Sequence, residues 1–85
     1  MFPDISNLSV FGLSNAFEIA QLDYQRISSA MTLPPDLVEA QSIAERAVGW
    51  AIVGKVPVAT AALLVRAVRD KLAPYAAAAG VELAS

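Results

Sequence analysis

Any chemistry in this sequence would have to come from carboxylates, lysines, serines and the two tyrosines, Tyr24 and Tyr75, because the chain holds neither histidine nor cysteine. Covalent catalysis needs a nucleophile within hydrogen-bond reach of a base. With histidine absent, no nucleophile stands beside an obvious base at helical spacing. Glu18 and Asp23 are five residues apart and Glu39 and Glu45 six apart. Neither spacing sets two carboxyl groups side by side on a helix for paired acid and base work. The usual zinc ligand sets are missing, and the four glycines are scattered. Gly54-Lys55 lacks the hydroxyl residue and the helix opening of a phosphate loop. The expectation is a protein with no catalytic residue, no cofactor and no metal.

Basic residues gather only at Arg66, Arg69 and Lys71, in a chain of net charge −2 and pI near 4.8. A helix that reads DNA presents base-contacting side chains in its first turn. The helix ahead of this cluster opens with Val58, Ala59, Thr60, Ala61 and Ala62. Sequence-specific nucleic-acid binding is therefore not expected, and the cluster reads as a cationic helix end matched to the helix dipole.

The elements that would position these residues can be read from periodicity and from the prolines and glycines. The spacing predicts an all-α fold of three helices, roughly 14–31, 35–53 and 58–73, in a helical hairpin or small open bundle. The single domain, 1–85, would comprise an irregular amino-terminal arm over 1–13, a helical body over 14–80 and a tail over 81–85. The arm mixes Phe2, Ile5, Leu8 and Phe11 with Pro3 and Gly12, and it would lie over its own helices or on a neighbouring subunit. It lacks a basic stretch followed by a continuous apolar run, so a secretory signal is not expected and the location is left open.

In the first helix, Ser14 is expected as the amino-terminal cap, with Phe17, Ala20, Tyr24, Ile27 and Met31 on the buried face. Pro34 and Pro35 make the first corner, since a proline disfavours helix at the residue before it and suits the opening turn of a helix. Gly54 is the natural stop of the second helix. Pro74 interrupts or kinks the third, and Gly80 ends any helix that resumes beyond it.

The second helix changes character midway. Ala40, Ala44, Ala47 and Ala51 form a seam of small residues, with polar neighbours only as far as Arg46. After it, Ala47 to Val53 is apolar on every side, including Val48, Trp50 and Ile52. A helix apolar all round must be enclosed by protein or lipid. The third helix offers a second apolar stripe, Val58, Ala61, Val65, Val68 and Leu72, widened by Leu64. These two sets are the expected interface.

Composition points the same way. Of the 85 residues, 56% are apolar and 16% charged, against about a quarter charged in ordinary soluble domains. A chain this short builds a small core and has no disulfide to assist it. The stretch 47–65 has the length of a bilayer span, but Gly54 and Pro57 break it, and Lys55 at the midplane would cost roughly 2.5–3.5 kcal/mol. Self-association meets fewer penalties. The expected function is that of a non-enzymatic structural subunit of a homo-oligomer, filament or virion-type, whose partners are copies of itself. The alternatives are a membrane-associated subunit of a larger complex, with other protein subunits as partners, and a helical adaptor.

Overall fold

The structure, a computed structural model, describes residues 9–83. The expected arm lies outside the described residues up to Leu8, as does the tail beyond Leu83. Among the described residues there are three helices in chain order: α1, Val10–Ala30; α2, Pro35–Ile52; and α3, Val58–Ala79. The all-α expectation holds, and α2 starts where its second proline places it.

Helix α1 begins four residues earlier than its spacing suggests. The cap is Ser9, in extended backbone, whose Oγ accepts a 3.2 Å hydrogen bond from the Gly12 N–H. That cap satisfies one of the amide donors a helix start leaves unpaired. The buried stripe also differs from the expected one: it runs Leu13, Ala16, Ala20, Asp23 and Ile27, while Phe17, Tyr24 and Met31 sit half-buried at its edge. Asp23, a charged residue within this stripe, is 2% exposed and pairs with Arg26 at 3.4 Å.

Pro34 and Pro35 build the first corner: the Pro34 carbonyl accepts from the Leu37 and Val38 amides, and Pro35 occupies a first-turn position that needs no amide donor. The second corner is a Schellman closure. Gly54 has φ +80°, the Lys55 N–H donates to the Trp50 carbonyl and the Gly54 N–H donates to that of Ala51. Gly80, with φ +71°, closes α3 with the same bond pair, Val81 N–H to Ala76 and Gly80 N–H to Ala77.

Helix α3 continues through Pro74 to Ala79, beyond its expected end at 73. Pro74 lies on the exposed side of the helix, so its ring meets solvent and the helix loses one amide donor at a place where water reaches the backbone.

Two contacts give the helix directions. Lys71, late in α3, reaches Asp36 at the start of α2 at 3.9 Å, so α2 and α3 are antiparallel. Arg26, late in α1, donates to the Glu82 carbonyl at 3.3 Å, so α1 and α3 run the same way. Helix α3 packs against both others, and the α1–α2 contact is the smallest of the three.

The core joins Leu13, Ile27, Leu37, Val48, Val65, Val68 and Leu72 with alanines from all three helices. Its surface, 5038 Å², is close to the roughly 4,800 Å² that scaling gives a compact monomer of 8.9 kDa. The core residues are buried within the single chain.

Candidate interaction surface

The expected interface divides in two when placed on the fold. Ala44, Ala47, Val48 and Ala51 of α2 and Ala61, Val65, Val68 and Leu72 of α3 are buried against the chain's own helices. Ala40, Val58 and Leu64 are half-buried at the edge of that core. Trp50 and Ile52 stay outside it. The alanine seam thus packs within the chain, between α2 and α3. Alanine allows two helix backbones to approach closely, and α3, tethered to α2 by a short corner, is the nearest apolar stripe available. A short tether sets an effective concentration near millimolar, well above that of a separate subunit at ordinary protein concentrations.

The apolar half of α2 fares differently. Its residue pattern predicts enclosure on every side, yet Gly49, Trp50, Ile52 and Val53 are exposed, Trp50 to 51%. The reason is geometric: the side of this turn that holds Ala47, Val48 and Ala51 packs into the core, and among the described residues no element covers the other.

On the uncovered side the structure forms a groove of about 350 Å³. Helix α2 contributes Ile43, Arg46, Ala47 and Trp50, α3 contributes Thr60 and Leu64, and Val56 closes the end at the corner. No α1 residue lines it, so it opens on the face of the α2–α3 pair turned away from α1. Its floor is apolar. The one charged lining residue is Arg46, which is exposed and makes no ion pair among the described residues. A concave apolar site of this size, with one cation on its rim, is suited to taking large apolar side chains next to an acidic group.

Two other pairs lie on the surface, Lys71 with Asp36 and Arg66 with Asp70. Arg66 reaches Asp70 at 3.9 Å, one turn along α3, as its spacing suggests. Exposed pairs of this kind contribute about 0–1 kcal/mol. No group of three or more metal-ligating side chains is found among the described residues. No described helix is long and apolar enough to cross a membrane.

No family model, curated protein or solved structure matches this chain. The groove therefore has to be read from its own residues. Sequence spacing singles out Trp50 but misses Ile43, Arg46, Val56 and Thr60 as its neighbours. A signal is present: Ile43, Arg46, Trp50 and Val53 recur at three, four and three residues, a stripe on the side of α2 away from the alanines.

Proposed function

We propose that this chain is a non-enzymatic structural subunit that self-associates into a homo-oligomeric assembly, and that its contact surface is the outer face of α2 and α3. The observation that carries the reading is the half-exposed Trp50 on the rim of an apolar groove, with Ile43 and Val53 exposed beside it. Large apolar side chains scattered singly are ordinary on a protein surface, but a contiguous set around a concavity marks a binding face. Tryptophan and arginine are the residue types that most often dominate such contacts.

Size-exclusion chromatography with light scattering, in buffer without detergent, tests the reading. The chain should run as an oligomer or as a concentration-dependent mixture, and Trp50→Asp should run as a monomer with its helicity retained. A monodisperse monomer at micromolar concentration, or unchanged assembly of Trp50→Asp, refutes it. The same groove supports a second reading, a helical adaptor that holds an apolar helix of another protein. Its mark would be a wild-type chain that stays monomeric and captures such a helix in a Trp50-dependent way.

A further inference from the structure

The buried stripe of α1 leaves an outer face whose residues are Phe11, Asn15, Glu18 and Leu22, at intervals of four, three and four. This face is amphipathic in the wrong direction for a monomer. Phe11 is 86% exposed and Leu22 59%, the two large apolar groups that α1 leaves in water. Glu18 lies between them, exposed and without an ion pair among the described residues.

The groove on the far side of the molecule offers the converse: apolar walls around a single cation. The spacings also correspond. Glu18 and Phe11 are seven residues apart, as are Arg46 and Val53, about 10.5 Å along a helix in each case. Glu18 and Leu22 are four apart and Arg46 and Ile43 three, roughly 6 and 4.5 Å. With Glu18 set against Arg46, these intervals bring Phe11 to Val53 and the Trp50 wall, and Leu22 to Ile43, provided that the incoming helix runs antiparallel to α2.

From this match we infer that a second copy of the chain docks the outer face of its α1 into the α2–α3 groove, head to tail. The inference rests on the proposed self-association and specifies its geometry. Because α1 is itself antiparallel to α2, the required orientation keeps the two copies of α1 parallel, which a simple translation of the subunit produces. The docking helix and the receiving groove lie on opposite sides of the molecule, so each bound copy presents a new groove and the contact does not close on itself as a twofold dimer would. The product is a stack. Helix layers pack 8–10 Å apart, so a subunit two layers thick repeats every 16–20 Å, as order-of-magnitude values.

The test uses two variants of the full chain. Phe11→Asp removes the docking face and keeps the groove, while Trp50→Asp damages the groove and keeps the docking face. Each alone should be monomeric by light scattering with helicity unchanged. Mixed in equal amounts, they should form a heterodimer and nothing larger. If Trp50→Asp blocks assembly but Phe11→Asp does not, the groove pairs with something other than α1: the stacking inference falls and the self-association reading survives. If the wild-type chain is a monomer, both fall. A second pair at exposed positions guards against misfolding. Glu18→Arg and Arg46→Glu should each weaken association by roughly tenfold, and mixing or combining them should restore it. Absence of that rescue, with both variants folded, overturns the assigned register.

Discussion

Replacing Leu72 by alanine tests whether one chain closes its own core. Leu72 is 0% exposed on α3 and belongs to a core to which alanines of all three helices contribute. Buried Leu→Ala substitutions cost about 2–5 kcal/mol, the larger values arising where the surroundings cannot collapse into the space. Alanine has no side-chain torsion with which to fill a neighbouring void, so the upper two-thirds of that range, about 3–5 kcal/mol, is expected here. An 85-residue domain is stable by roughly 4–13 kcal/mol, so the loss is a large share of the total. The melting temperature should fall on the order of 12–40 °C.

The matched control is Leu63→Ala, the same chemical change at a position 62% exposed on the same helix, where the effect should stay within about 0.5 kcal/mol. Urea unfolding followed by far-ultraviolet circular dichroism gives both values, measured at two widely separated protein concentrations. If Leu72→Ala costs no more than Leu63→Ala, α3 does not bury this face. If the wild-type midpoint rises steeply with concentration while the Leu72→Ala cost vanishes on dilution, the core is completed only between chains.

Three further expectations concern the frame of the molecule. Gln41 is buried with its side-chain oxygen unbonded, so Gln41→Met should raise stability by about 1–3 kcal/mol in the same unfolding assay, and a loss would place a partner on that amide. Pro74→Ala returns an amide donor to α3 and should stabilise by up to about 3 kcal/mol, visible as a higher melting temperature. Gly54→Ala meets no atom within 4 Å, so its cost, about 1–2 kcal/mol by thermal melting, isolates the left-handed backbone from steric effects.

Much of the fold is legible in the residues because prolines and glycines act locally. Pro34-Pro35, Gly54 and Gly80 each set a chain direction through their own rings or φ angles, and the structure places helix ends beside all of them. The start of α1 is obscured by Gly12, which reads as irregular but is tolerated in a first turn once Ser9 accepts its amide. The buried face also takes in Asp23, which its polar side chain conceals in the sequence. At Pro74 only the expected end at 73 fails: the helix runs on to the stop at Gly80, and a proline inside a helix is tolerated where its missing amide bond faces water, which is a tertiary property.

The interaction surface is legible only in part, for a related reason. An alanine seam states that two helices approach closely. It does not state whether the second helix belongs to the same chain, and here the nearby α3 satisfies it. Trp50 stands out by residue type, whereas its groove depends on how α2 lies against α3.

The odd number of described helices has a last consequence. With α1 and α3 parallel, the described chain enters at one end of a body whose longest extent is 36 Å and leaves at the other. A stack built by translation across the helices would align every subunit in the same sense, giving a ribbon with two unlike borders. One border would carry the Val53–Pro57 corners and the starts of α1, the other the Met31–Pro34 corners and the ends of α3. Such a ribbon is directional across its width as well as along its growth, so an attachment recognising one border could anchor it sideways without touching the surfaces by which it elongates.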